Sequence, residues 1–315
     1  MNGELKIRPL VPGADDTAFL NIINQVAKEI PDRTPIAQDE LEANRKEPDY
    51  DSHAQFIAEL DGRAVGIGAG ELNPLDDRHV GWVSVNVLPE FRRRHIVTAL
   101  AEAVRQVLRA RGAKKLRAAT REENLAGNAF IRSLGFEASR TESWLLRPLE
   151  HLPSRVGENT EVRIRETTLS DDDLRLTTEL INETFKEDWS HVPHTVEERR
   201  QRASEFARQG VIMRTLVAML GGKAVGQIQP VISPRKIAAL KVQRGMLMGL
   251  GVLKPFRRQG IATALMLKGM QSLKDHGMTE AELYVDNSNP ARALDIYVKL
   301  GFHVVRKFLH YEQAV

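Results

Sequence analysis

Pro255-Phe256-Arg257-Arg258-Gln259-Gly260-Ile261-Ala262 follows the apolar run Met246-Leu247-Met248-Gly249-Leu250-Gly251-Val252-Leu253 and opens the helical pattern Thr263-Ala264-Leu265-Met266-Leu267-Lys268. A strand is therefore expected to hand over to a helix through a basic turn. Such a turn aims consecutive backbone N–H groups outward at a helix N-terminus, where the macrodipole favours an anion. Gly260 and Ala262 keep the main chain bare, so a diphosphate can come close.

The turn occurs twice. Val87-Leu88-Pro89-Glu90-Phe91-Arg92-Arg93 returns as Val252-Leu253-Lys254-Pro255-Phe256-Arg257-Arg258, and Thr98-Ala99-Leu100 returns as Thr263-Ala264-Leu265. Outward from these, Leu5-Lys6-Ile7-Arg8 matches Val162-Arg163-Ile164-Arg165, and Ala64-Val65-Gly66 matches Ala224-Val225-Gly226. Gly112 matches Gly277, Asn124 matches Asn289, and Leu134-Gly135-Phe136 matches Leu300-Gly301-Phe302. One offset, 165, holds from Arg92 to Asn124 (257 against 92, 289 against 124). An ordered series of this kind predicts two copies of one α/β unit. The first spans 1–148 and the second 161–315, joined by a polar, proline-bearing linker over 149–160. Each copy is expected to run strand, helical segments (Asp15 to Glu29; Asp171 to Lys186), and a hairpin turning at Asp61-Gly62 or Gly221-Gly222. A third strand, the basic turn, a long helix ending at Gly112 or Gly277, another strand, a short helix and a final strand follow.

Composition narrows the class. The 315 residues are 42% hydrophobic and 28% charged, with 45 Lys+Arg against 42 Asp+Glu and no cysteine. The charges are interspersed rather than grouped, which argues against nucleic acid as a partner. Without cysteine there is no disulfide, no thiolate metal site and no thiol nucleophile, in keeping with a cytoplasmic protein. The start, Met1 to Lys6, lacks a signal-peptide core, and the run Met246 to Leu253 is far below the ~20 residues that span a bilayer. A soluble protein, with no membrane partner, is expected. His191-Val192-Pro193-His194 lacks further ligands for a metal site.

The Arg257 to Ala262 loop after the fourth strand, Asn289-Pro290, Tyr297 and the Leu300-Gly301-Phe302 end together resemble the GNAT N-acetyltransferase superfamily. The resemblance covers essentially the whole chain as two tandem domains, each a mixed, mostly antiparallel sheet flanked by helices. It implies acetyl-CoA as cosubstrate, its pyrophosphate held by Arg257, Arg258, Gln259, Gly260, Ile261, Ala262 and Thr263. It further implies that Leu250, Gly251 and Val252 line the pantetheine and offer an N–H to the thioester carbonyl. Asn289 then contacts the coenzyme or caps the helix before Pro290, and Tyr297 is the general acid for the departing sulfur. The segment Ile181 to Trp189 and the Tyr284-Val285-Asp286 strand end are loosely similar to mycothiol synthase, which implies acetylation of a cysteinyl amine as a narrower alternative.

The base is expected among Glu183, Glu187, Asp188 and His191, with Glu183 and Asp188 foremost, and Trp189 is a candidate pocket wall. In the first copy His95 and Val97 stand where Gly260 and Ala262 do, and Ile131 stands where Tyr297 does. That copy is read as a degenerate, structural or substrate-shaping half in which phosphate approach is obstructed. The whole predicts acetyl transfer from acetyl-CoA, by direct attack on the thioester, to a primary amine of a small-molecule or peptide acceptor. The working assembly is a monomer or homodimer. A non-catalytic acyl-CoA-binding scaffold is the alternative.

Overall fold

The computed structural model describes residues 3–30, 33–45, 53–72, 79–153, 161–189, 191–289 and 292–315. They form two compact units, one of residues 1–139 with 309–315, the other of residues 140–308.

The first unit runs β1 (Leu5–Pro9), α1 (Asp16–Ala27), α2 (Gln38–Asn44), β2 (His53–Leu60), β3 (Arg63–Leu72), β4 (Val80–Val87), α3 (Ile96–Ala110), β5 (Lys115–Arg121) and α4 (Leu125–Ser133), then enters β6 (Glu137–Pro148). Strands β1 to β4 pair antiparallel in order, and β4 pairs parallel with β5. Helix α3 lies close on β3 because Gly66, Gly68 and Gly70 leave room for Leu100, Val104 and Leu108. Its sheet is completed by the last residues of the chain. Glu312 pairs there with Lys115 (2.9 Å) and Arg117 (2.7 Å), and the buried Tyr311 hydroxyl donates to Asn128 of α4 (2.7 Å).

The second unit repeats the order with β7 (Arg163–Glu166), α5 (Asp171–Phe185), α6 (Val196–Arg208), β8 (Ile212–Met213), β9 (Leu216–Leu220), β10 (Lys223–Ile232), α7 (Pro234–Leu240), β11 (Arg244–Val252), α8 (Ile261–Asp275), β12 (Glu280–Asp286), α9 (Ala293–Lys299) and β13 (His303–Ala314). Its strand order is β6-β12-β11-β10-β9-β7, with only β11 and β12 parallel. Ile228, Leu247, Leu265, Met266, Met270, Leu283 and Phe302 fill its core. Here the room under the helix comes from Gly269 of α8, where a Cβ would meet Leu247 at 3.0 Å and Ile228 at 3.2 Å.

Two devices beyond the hairpins are duplicated. Arg8 pairs with Asp15 at 2.7 Å and Arg165 with Asp173 at 2.6 Å; each aspartate also accepts from a main-chain N–H, that of Val11 or Thr168, at the start of the helix. Asn24 exchanges two hydrogen bonds with the backbone of Ile36, both 2.8 Å, and Asn182 does the same with His194 at 2.8 and 3.0 Å. Each asparagine fixes the loop after the first helix of its copy.

The compact units depart from the boundaries read in the sequence. Residues 142–148 of β6 pair antiparallel with β12, so the last strand of the first repeat completes the second unit, while residues 309–315 belong to the first. Nor is the start of the expected linker loose. Leu149 is buried and donates its N–H to Thr279 O (2.8 Å), and Arg147 donates to His151 O (2.6 Å). Apolar Leu149 and Leu152 dock on the second unit's core, which a polar reading of that stretch overlooked. The rest of the linker, 154–160, lies outside the described residues, as does Pro290.

Candidate active site

In the second unit the basic turn is a short 3-10 turn, Lys254–Phe256, followed by Arg257 in extended backbone (φ −68, ψ 159), Arg258 at φ +63 and Gly260 at φ +77, from which α8 starts. Gly260 is the N-cap and no side chain caps the helix. The first N–H groups of α8, from Ile261, Ala262 and Thr263, have no acceptor within the helix. These donors stand at the place where the sequence reading expected an anion. Arg257 faces the other way: its Nε donates to Val252 O at 3.0 Å and closes the turn. Arg258 and Gln259 are exposed, and the Gln259 amide donates to Pro255 O at 3.4 Å.

The first unit has the same backbone. Arg92 (φ −68, ψ 161) donates Nε to Val87 O at 3.1 Å, Arg93 sits at φ +63, and His95 adopts φ +60 as the N-cap of α3. The imidazole at position 95 therefore has not distorted the turn. A non-glycine residue is simply held in the left-handed region, at about 1–2 kcal/mol. Whatever obstruction the first copy presents to an anion comes from the His95 and Val97 side chains, not from a changed loop.

The main-chain difference lies one strand earlier. In the β10–β11 ladder Gln227 pairs with Gly251 and Gln229 with Met248, so Gly249 and Leu250 together oppose Ile228. This is a β-bulge, which leaves a main-chain group unpaired and re-aims the strand. Gly249 supplies the positive φ, +63. The corresponding β3–β4 ladder is regular from Leu72–Gly81 to Gly66–Val87. The extra residue shows in the register as well, since Arg244 corresponds to Val80 (offset 164) whereas Val252 corresponds to Val87 (offset 165). The parallel pairing of β11 with β12 stops at Met246–Glu282, just before the bulge.

At Gly251 α5 comes close to the strand: a Cβ there would lie 2.4 Å from Thr184 Oγ1 and 3.0 Å from the Phe185 ring. Its neighbour Gln227 is fully buried and its amide O and N have no partner, while Gln229 donates to Thr215 (3.1 Å). These glutamines were missed in the sequence, where alternation with Ile228 signals only a buried strand.

Tyr297 lies on α9, buried in the core and edge-on to Phe302 (6.1 Å between centroids), and burial pushes its phenol pKa up. Asn289 is not the cap of α9, because that helix starts at Ala293 with Arg292 as N-cap. Asn124 does cap α4, accepting from Gly127 N at 3.1 Å. Of the candidate bases, Glu183 is exposed and pairs with Lys186 (2.5 Å). Glu187 reaches Lys254 at the basic turn (3.0 Å), and that ammonium holds its carboxyl below the usual range. Asp188 is half-buried in the turn closing α5, where its N–H donates to Phe185 O at 2.7 Å. Next along the chain, Trp189 carries the Arg140 guanidinium over its ring (5.4 Å), and Arg140 also bonds Asp286 at 2.8 Å. Arg140 comes from β6, a strand the sequence assigned to the other copy.

A model of the acetyltransferase (GNAT) family matches residues 23–136 and again 174–302. The chain belongs to that family. An N-alpha-acetyltransferase of Sulfurisphaera tokodaii is 37% identical over 100 residues, 30% of this chain and 59% of its own length, and one of Saccharolobus solfataricus is 40% identical over 96 residues, 29% of this chain and 56% of its own. The chain thus spans under two thirds of these GNAT relatives. Among solved structures, a tandem GNAT protein from the clavulanic acid biosynthesis pathway matches 99% of this chain and 98% of its own, with TM-score 0.78 and 17% identity. A GCN5-related N-acetyltransferase from Sphaerobacter thermophilus matches 98% of this chain and 95% of its own, with TM-score 0.73 and 21% identity. At such identities the structures show the tandem GNAT fold alone. The similarity to mycothiol synthase finds no support among these matches. No helix among the described residues is long and apolar enough to cross a membrane.

Proposed function

We propose that the second copy carries an acetyl-CoA-dependent N-acetyltransferase acting on a primary amine, with the first copy as its non-catalytic partner. The observation that carries this reading is the Gly249-Leu250 bulge beside the uncapped N-terminus of α8, a pairing that the regular β3–β4 ladder of the first copy lacks.

The N–H groups of Ile261, Ala262 and Thr263 suit the pyrophosphate, with Arg258 and Gln259 at its edge. Leu250, Gly251 and Val252 would lie along the pantetheine, and the bulged main chain would offer an N–H to the thioester carbonyl. Asn289 would meet the coenzyme just past the end of β12. Bound acetyl-CoA supplies the activated acyl group. Asp188, half-buried where Glu183 is exposed and ion-paired, takes the proton from the acceptor ammonium, whose unperturbed pKa is near ~10.4. The freed amine lone pair forms the C–N bond, the C–S bond breaks, Tyr297 O–H gives its proton to the departing sulfur, and the second proton shed by the nitrogen as the amide forms restores the phenol. Burial keeps the phenol protonated, so donation must be concerted with C–S cleavage, because free thiolate, with a pKa near ~8.5, is the weaker base.

The names of the relatives favour an α-amino group as the acceptor. The test is release of free thiol from acetyl-CoA by the purified chain with a panel of amino acids, short peptides and alkylamines. Stoichiometric coenzyme binding with no thiol released across the panel would instead establish the scaffold alternative.

A further inference from the structure

Helix α6 and the loop before it bring together four cationic or ionisable side chains that the chemistry above does not use: His191, His194, Arg199 and Arg202. The histidine rings are 5.7 Å apart, edge to face, and His191 stands 5.9 Å from Phe185. Phe185 in turn packs on β11 at Gly251, so the group sits one ring's thickness from the strand proposed to hold the thioester. Arg199 is the unusual member. It is half-buried, its Nε is fully enclosed without a hydrogen-bond partner, and no described carboxylate pairs with it. Its neighbour Arg200 pairs with both Asp171 (2.8 Å) and Glu197 (3.3 Å). The nearest acid on α6, Glu198, has its carboxylate on Thr195 N (2.7 Å) as half of a capping box.

The first copy shows what folding alone requires at this place. Aligned on the asparagine clamp (182 against 24), His194 corresponds to Ile36 and Arg199 to Leu41, and the helix N-caps coincide as Thr195 and Ala37. Leu41 is buried. The second copy thus keeps the clamp and helix but replaces a core leucine with a guanidinium lacking a counter-charge. Enclosing an unpaired cation is costly unless an anion joins it, and guanidinium recognises oxyanions through paired donors.

We propose that Arg199, Arg202, His191 and His194 form a pocket for the carboxylate or phosphate of the amine acceptor. The ligand's identity as acceptor rests on the acetyltransferase reading; the anion site itself does not. The Asn182 clamp holds the loop before the ligand arrives. Burial and the neighbouring Arg202, His191 and Arg199 pull His194 down to about 4, with Glu198 opposing weakly, so a bound anion raises it.

Inorganic phosphate is titrated into the full chain while the imidazole signals of His191, His194 and the distant, exposed His276 are followed by NMR. A saturable shift at His191 and His194, absent at His276 and abolished in Arg199→Leu, is expected. Because leucine is what the other copy holds there, this variant should melt no lower than the parent. No saturable shift, or equal shifts at all three, overturns the pocket. In the kinetic arm glutamate is compared with glutamine, and phosphoethanolamine with ethanolamine. The anionic partner should be favoured about tenfold or more in kcat/KM, the worth of one charge-assisted hydrogen bond. Arg199→Leu should erase that preference while sparing the neutral amines and the KM for acetyl-CoA. Phosphate binding without any acetyl transfer would overturn the proposed function but leave the anion site standing. Transfer that ignores charge, or a change in the acetyl-CoA KM alone, would remove the pocket from the acceptor.

Discussion

The turns at 92–97 and 257–262 have the same main-chain course and different neighbours. Both begin with an arginine closed onto a valine carbonyl, both pass through a left-handed arginine, and both enter a fifteen-residue helix. Only the later one has a bare residue at the cap and a bulged strand alongside. The lesson is that the main-chain course of such a turn is kept as a folding device whether or not its cap residue is bare. Its backbone shape alone is therefore poor evidence of binding.

Gly260→His makes the second turn resemble the first. Since His95 tolerates that φ, the fold should survive while kcat/KM for acetyl-CoA falls on the order of 1,000-fold, as two or more charge-assisted contacts are lost. Near-normal coenzyme affinity by calorimetry in that variant would erase the distinction between the two turns. Tyr297→Phe sharpens the comparison at α9, where the first copy has Ile131. A fall in kcat of about 100-fold, typical of a lost general acid, is expected with the coenzyme Kd unchanged; parallel losses in both would mark the tyrosine as packing only.

The two asparagine clamps differ in what they hold, and pH separates them. His194 is neutral in the fold and has its pKa depressed, so the unfolded chain binds the extra proton first. Stability is intact above the unfolded value near ~6.5 and is lost as the pH falls towards about 4, by on the order of 2 kcal/mol after allowance for solvent screening. Denaturant melts at pH 7 and 4.5 should show this loss, and His194→Gln should remove it. Smallest of all, His95→Gly relieves the left-handed strain and should raise stability by no more than about 1 kcal/mol, since glycine also loosens the unfolded chain. A new coenzyme site appearing in that variant would mean that the bulge is dispensable.

The duplication, the hairpins at Asp61-Gly62 and Gly221-Gly222, the long helices and the basic turn between strand and helix were all legible, because each depends on residues adjacent in the chain. The bulge was half-legible: Gly249 and Gly251 interrupt the apolar run, which weakens a plain strand, and only the ladder shows where the extra residue falls. The cap role read for Asn289 failed because α9 begins three residues later than the repeat suggested. Arg140 beside Trp189, Tyr311 on Asn128 and the buried Gln227 left no local signature, since their partners lie far along the chain or their setting depends on tertiary packing. Arg199 carries no motif in the sequence; what marks it out is its enclosed, unpartnered Nε, a property of tertiary packing.

The crossing of β6 and β13 between copies bears on synthesis. The earlier sheet needs Tyr311 and Glu312, which follow the whole second copy in the chain, so the first copy cannot complete its sheet until the second has been made. Separately expressed halves should each present an unfinished β-edge and be prone to aggregate.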